Sequence, residues 1–175
     1  MPDATLSDAI KEAYAAAPRG VIIYHTLEIY HPTFTEPIRI VRDEVDLTAY
    51  LEEDAAHNPG EEVTFARYAF DFQKPEVSAS GIPTMAITID NVSRLIAASI
   101  EGALGTTDLV TVTYREYLSN DLTGPQNDPP ITLSITDITV DAFKITATCG
   151  YPDLMNRKFP TQEYSAEDFP GLVSS

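Results

Sequence analysis

A chain of 175 residues, 43% hydrophobic and 22% charged, is sized for one domain with its own core and is too apolar for wholesale disorder. Eleven basic against 27 acidic residues leave a formal net charge of −16 and a pI near 4.3, which opposes attraction to nucleic-acid phosphates and to anionic membrane surfaces. The single cysteine, Cys149, excludes an intrachain disulfide and a multi-cysteine zinc site.

Leu6, Ile10, Ala13, Tyr14 and Ala17 recur at helical period, so a first amphipathic helix is expected over 6–17, stopped by Pro18 and Gly20. Residues 21–31 are dense in β-branched and aromatic side chains and read as a strand ended by Pro32. Ile23, Leu27 and Ile29 share its apolar face, while Thr26 and Glu28 point away. A short strand is expected over 38–42, whereas 46–53 fits a helical turn or a strand equally well. His57-Asn58-Pro59-Gly60 carries turn chemistry. Residues 63–72 read as a strand whose apolar phase slips near Ala66, which suits a bulge or burial on both faces.

Met85, Ile87 and Ile89 then alternate with Thr84, Ala86 and Thr88 as in a half-buried strand. The period switches at Asp90-Asn91. Val92, Leu95, Ile96 and Ile100 predict a helix over 91–104, capped by Asp90 or Asn91 and ended at Gly102 or Gly105. A strand follows over 109–118, with Val110, Val112 and Tyr114 opposite Thr111, Thr113 and Arg115. Residues 120–130 hold Gly124, three prolines and several Asn or Asp residues and predict a long exposed loop. Ile131, Leu133 and Ile135 lead through a turn at Val140-Asp141-Ala142 into Phe143, Ile145, Ala147 and Cys149, a hairpin. After Tyr151 the pattern gives way to prolines spaced by Phe159, Tyr164 and Phe169, which predicts an extended arm packing on its own domain or on a neighbour. The layer rule favours a mainly β domain over 1–151, a sandwich or barrel with one helix packed against it, followed by the arm 152–175.

Candidates for chemistry are few. His25 and His31 share a strand face but stand six residues apart, about 20 Å, too far for one ion. His25 is expected as a hydrogen-bonded core residue and His57 as a loop residue. Cys149 falls in phase with the apolar face and reads as a small core filler. No Gly-x-Ser-x-Gly elbow, Walker loop or Gly-x-Gly-x-x-Gly is present. Glu52-Glu53-Asp54 and Glu61-Glu62 read as solvated runs, and Asp71 has Lys74 as its only cation nearby in sequence. No catalytic, cofactor-binding or metal-binding residue is assigned, and no enzyme is expected. No run of about 18 apolar residues offers a membrane span, and residues 1–5 lack the features of a signal peptide, so the chain is expected to stay in the cell that makes it.

Four blocks carry a resemblance. Thr26-Leu27-Glu28-Ile29-Tyr30-His31-Pro32-Thr33-Phe34 resembles the opening strand of a family of tailed-phage proteins long catalogued as a domain of unknown function. Residues 83–92 are similar to that family's strand-to-helix unit, Val112-Thr113-Tyr114-Arg115-Glu116-Tyr117-Leu118 to its next strand, and Phe159-Pro160, Tyr164 and Phe169-Pro170-Gly171-Leu172 to its closing arm. The same order resembles the N-terminal part of minor tail protein L of lambda-like siphophages, without that protein's cysteine-rich C-terminal region, so no metal site is carried over.

The resemblance implies a tail-tube-like β fold in a structural, non-enzymatic minor tail protein, set in a ring near the tail tip and hub. It implies a homo-oligomer, a trimer before a hexamer, in contact with tube, hub and central fibre proteins. The location implied is the virion tail, with the host cytoplasm during assembly. Neither sequence-specific nucleic-acid binding nor membrane insertion is expected. The ring would line part of the genome-delivery channel with carboxylates, Glu52-Glu53-Asp54 and Glu61-Glu62 being candidates. The alternative is a receptor- or carbohydrate-binding β module of the tail.

Overall fold

Strand after strand along the chain pairs into one sheet, and the chain is mainly β, as its alternation predicts. The computed structural model describes residues 6–16, 20–73, 84–90, 95–103, 106, 108–141 and 143–151. The expected arm 152–175, Asn91 and Gly105 at the expected ends of the second helix, Ala142 of the hairpin turn, and Lys74 lie outside these residues.

The described elements are α1 (Asp8–Ala16), β1 (Ile23–Tyr30), β2 (Ile38–Val41), β3 (Leu47–Tyr50), β4 (Glu62–Arg67), β5 (Phe70–Gln73), β6 (Thr84–Asp90), α2 (Leu95–Ala103), β7 (Thr111–Leu118), β8 (Ile131–Val140) and β9 (Lys144–Gly150). The stretch that fits helix or strand on sequence is therefore a strand, β3. The sheet order is β3-β4-β2-β1-β7-β8-β9-β6-β5, antiparallel throughout except where β2 meets β4.

The two ends of this sheet are joined by covalent chain. β4 runs beside β2, the backbone kinks at Tyr68-Ala69, and the same run continues as β5 beside β6. The Tyr68 N–H donates to the Val41 carbonyl at 3.0 Å, and the Asp90 N–H donates to the Ala69 carbonyl at 3.0 Å. The stretch 62–73 thus closes the sheet into a barrel-like body, with β3 outside the ring. This corrects the reading of 63–72 as one strand, whether bulged or buried on both faces. The phase slip near Ala66 marks a handover between cores: Val63 and Phe65 face one cluster, and Phe70 faces another.

The main core holds Leu27 and Ile29 of β1, Ile87 and Ile89 of β6, Val112 and Tyr114 of β7, Leu133 of β8, and Ile145 and Cys149 of β9. Ile96, Ile100 and Ala103 join it from α2, so the helix packs on the sheet as its period predicts. Each fully buried Leu, Ile or Val there contributes about 1.5–3 kcal/mol of hydrophobic stabilisation. Gly102 lies inside α2 and not past its end.

A second cluster of Val41, Leu47, Ala49, Phe65 and Tyr117 forms where the β3–β4 hairpin folds over the opposite face of β2, β1 and β7. As a result β1 is buried on both faces over Thr26–Ile29, and Thr26 and Glu28, expected to point outward, are 0% and 3% exposed.

α1 starts where the Ser7 Oγ accepts from the Ile10 N–H at 3.3 Å, an N-cap contact, with Asp8 in the first turn at the favourable end of the helix dipole. Ile10 and Ala13 pack on Leu118 in a third cluster.

The loop 120–130 departs from its expected exposure. β8 pairs with β7 only as far as Tyr114, and beyond that point the loop supplies the missing neighbour. Asn127, 2% exposed, accepts from the Glu116 N–H at 2.9 Å and donates to the Tyr114 carbonyl at 3.1 Å. The Gln126 N–H adds a bond to the Glu116 carbonyl at 2.7 Å. Buried backbone groups must be paired, and an Asn side chain carries both a donor and an acceptor. Phe143 also departs from expectation: it stands in the β8–β9 turn, 84% exposed.

Candidate functional site

β1 and β7 are central neighbours, paired from Ile23↔Leu118 to Tyr30↔Thr111, and each carries a buried polar network on each face. On the face under the β3–β4 hairpin, Arg115 is 1% exposed. Its Nε donates to Glu52 Oε2 at 2.8 Å and its Nη2 to Glu52 Oε1 at 2.6 Å. Its Nη1 lies 3.7 Å from Glu28 Oε1, while Arg39 Nε donates to Glu28 Oε2 at 2.7 Å. The chain of contacts continues from Arg39 Nη2 to Asn58 Oδ1 at 2.8 Å and from Asn58 Nδ2 to Glu61 Oε2 at 2.8 Å. Burial works against the Arg115 charge, but the hydrogen bond to Glu52 and the charges of Glu28 and Glu52 outweigh it and hold the guanidinium's pKa above its ordinary value. Tyr117, on the same face, is shifted well above the usual phenol range, by burial first and by the Glu52 and Glu28 charges against the opposing Arg115.

On the barrel-interior face, Glu116 is fully buried, and its Oε1 accepts from the hydroxyl of Tyr14 at 3.1 Å and from that of Tyr114. His25 Nδ1 lies 2.8 Å from the Tyr114 hydroxyl and 3.9 Å from Glu116 Oε1. Phe72 of β5 packs on both rings, at 5.2 Å from His25 and 4.8 Å from Tyr114. Burial, followed by the Glu116 charge and the hydrogen bond to it, pushes both Tyr14 and Tyr114 far above the ordinary phenol range. These hydroxyls remain protonated at neutral pH and both donate to Glu116 Oε1.

The remaining residues singled out from sequence fall apart from one another. His31 is fully buried at the end of β1: its Nδ1 accepts from the Thr33 N–H at 3.2 Å, and its Nε2 faces the Asp108 carbonyl at 3.3 Å. His57 packs its ring on Tyr30 at 3.8 Å in the expected turn, where Asn58 has φ 55° and Gly60 φ 67°. Cys149 is fully buried, and burial raises its thiol to about 12. Asp71 points outward and pairs with Arg42 at 3.0 Å, a partner distant in sequence. Of the expected solvated run 52–54, Glu53 and Asp54 are exposed, but Glu52 turns inward to Arg115. Among the described residues no group of three His, Cys, Asp or Glu side chains could hold a metal ion, and no helix is long and apolar enough to cross a membrane.

Sequence reasoning missed Arg115, Glu116 and Glu28 as buried residues. The one available signal was the run Tyr114-Arg115-Glu116-Tyr117, where tyrosines occupy both phases of a strand and so call for cover on both faces. What this arrangement does chemically is lock elements together: the Arg115 network fixes the β3–β4 hairpin, and the Glu116 network fixes α1 and β5.

The profile of a family described as a domain of unknown function, DUF1833, matches residues 9–164, a span that holds all nine strands found among the described residues. The chain belongs to the DUF1833 family. No curated protein sequence matches it. Both polar networks therefore lie within the DUF1833 domain.

Proposed function

We propose that this DUF1833 chain is a structural subunit of a siphophage tail tip, a minor tail protein that forms a ring near the hub. The observation that carries the reading is the ordered series of blocks, from the β1 strand through the β6-to-α2 unit and β7 to Phe169-Pro170, that resembles tail-tip proteins and the N-terminal part of minor tail protein L. The architecture supports it. Buried charged side chains spend their hydrogen-bonding capacity on fixing the hairpin and α1, which gives a rigid body suited to stacking.

Large apolar side chains on the surface support it as well: Phe143 at 84%, Val45 at 68%, Leu109 at 58% and Ile22 at 53% exposure, on a chain of net charge −16. Such groups on an otherwise charged surface suit contacts made during assembly. The partners under this reading are further copies of the chain, three before six, with tube, hub and central fibre proteins on either side. It resides in the virion tail after assembly in the host cytoplasm. Exposed carboxylates such as Glu53, Asp54, Glu61 and Glu62 would repel the passing DNA backbone within a screening length of about 8 Å.

The test is a nonsense mutation in the gene of the phage that encodes the chain. The expected outcome is particles with absent or unfinished tails, restored by the protein supplied in trans. Normal, infectious tails without the protein would overturn the reading.

A further inference from the structure

The β8–β9 hairpin overhangs its neighbour. β7 pairs with β8 only over Ile131–Ser134, and a last bond runs from the Ile135 N–H to the Val110 carbonyl at 2.9 Å, while β8 itself continues to Val140. At the tip of this hairpin stand Phe143, 84% exposed, and Lys144, an exposed cation at the start of β9 whose cross-strand neighbour is Asp90 of β6. A ring this large so fully in water forfeits most of the hydrophobic stabilisation that burial would give it.

Where β8 leaves β7, a partly enclosed pocket of about 320 Å³ opens between the end of α2, the approach to β7 and the irregular stretch of β8 between Ile135 and Asp137. Ile100, Ala103, Leu109, Ile135 and Ile138 give it apolar walls. Two exposed carboxylates, Asp108 and Asp137, also line it. Its volume accommodates a phenyl ring, and its charge is opposite to that of the residue following Phe143.

We propose that Phe143 of one copy of this chain seats in the α2–β8 pocket of a second copy, with Lys144 meeting Asp108 and Asp137 at the pocket. Projection and pocket are different surfaces of the same subunit, so the contact is heterologous: each copy gives its tip to one neighbour and accepts a tip from another. Repeated by rotation, such a contact closes a ring. The strongly negative net charge makes the placement of the cation informative, because copies of a chain at −16 repel one another except where a cation is set against carboxylates. The inference rests on the ring-subunit reading and specifies its lateral contact.

The experiment mixes full-length copies carrying Asp141→Cys, beside the Phe143 tip, with copies carrying Thr136→Cys, at the rim of the pocket, both at exposed positions, and follows disulfide formation under mild oxidation. The control is Thr48→Cys, on the exposed face of β3. The expected result is a mixed disulfide between the first two and none above background with the control. Lys144→Glu on the first copy should lower the yield several-fold, and Asp108→Lys with Asp137→Lys on the second copy should restore it. Phe143→Ala in the otherwise native chain should weaken self-association measured by sedimentation by about tenfold or more, as for an aromatic anchor withdrawn from its pocket. Equal cross-linking to the control, or a yield indifferent to Lys144→Glu, overturns the proposal. Because that result concerns only which surfaces meet, the ring reading then stands or falls separately on the presence of the protein in tails.

Discussion

The guanidinium of Arg115 and the carboxylate of Glu52 meet side by side, Nε to Oε2 at 2.8 Å and Nη2 to Oε1 at 2.6 Å, across 63 residues of sequence. Glu52 lies just beyond β3, and Arg115 lies in the middle of β7, so this pair fastens the outlying hairpin to the centre of the sheet. The Arg115 side chain is 2% exposed, which places the pair where loss of one partner leaves a charge in low dielectric.

Arg115→Met is accordingly expected to destabilise the domain by about 3–5 kcal/mol, the usual cost of orphaning a buried ion. Adding Glu52→Met should recover part of that loss, because the second change removes the stranded carboxylate while Arg39 still holds Glu28. Denaturant unfolding of the single and double variants measures both. A single variant within about 1 kcal/mol of the parent, the range of surface pairs, would mean that the pair is solvated and does not fasten the hairpin.

Tyr14, Tyr114 and Tyr117 all have folded-state pKa values above the ordinary phenol value of 10.0, chiefly through burial. The folded state therefore holds protons that the unfolded state releases. Their contribution to stability is complete below pH 10 and is lost as the pH rises above it toward the folded values. Spectroscopic titration of the phenols should show the buried Tyr114 and Tyr117 ionising only together with unfolding, identified by the amplitude lost in Tyr114→Phe and Tyr117→Phe. Early, reversible ionisation of Tyr114 in the folded protein would contradict the buried Glu116 network.

Cys149 sits opposite Met85 of β6 with no exposed surface, and burial raises its thiol to about 12. Since the thiolate is the reactive form, a thiol reagent at pH 8 should label the native protein very slowly and the denatured protein at once. Comparable rates in the two states would show that the β6–β9 face is open.

Two glycines are expected to respond in opposite directions. Gly60 has φ +67°, and a Cβ there would come within 2.9 Å of Glu53 Oε2. The flexible Glu53 can move aside, but the left-handed backbone cannot relax, so Gly60→Ala should cost about 1–2 kcal/mol. Gly102 lies within α2 with open space around it, and Gly102→Ala should add about 0.5–1 kcal/mol. Thermal unfolding of the two variants decides the matter, with a loss at position 102 counting against α2 as described.

The elements legible in the sequence are those with one buried face. Met85, Ile87 and Ile89 alternate because β6 is covered only on the barrel side, and Ile96 and Ile100 follow the helical period for the same reason. β1 and β7 were half legible, since alternation assigned Thr26, Glu28 and Arg115 to water when a hairpin from elsewhere in the chain covers them. Nothing local announces that cover: Glu52 reads as one of three acidic neighbours until its distant partner is in place. The kink at Tyr68-Ala69 was hidden because two strands on opposite sides of the closure are contiguous in sequence. The burial of Asn127 was hidden because it replaces a missing strand neighbour, a role that loop composition does not encode. Of the site, the hydrogen-bonded place of His25 and the filler place of Cys149 were readable from strand phase alone.

The proposed tail-tip role is tested most directly by a density map of an intact phage tail assembled with this protein, at a resolution that traces strands. The account expects a closed ring of this protein at the distal end, three copies before six, with Glu53, Asp54, Glu61 or Glu62 among the carboxylates facing the channel. A tail tip without the protein, or the chain bound singly on the outside of the tail away from the channel, would contradict it.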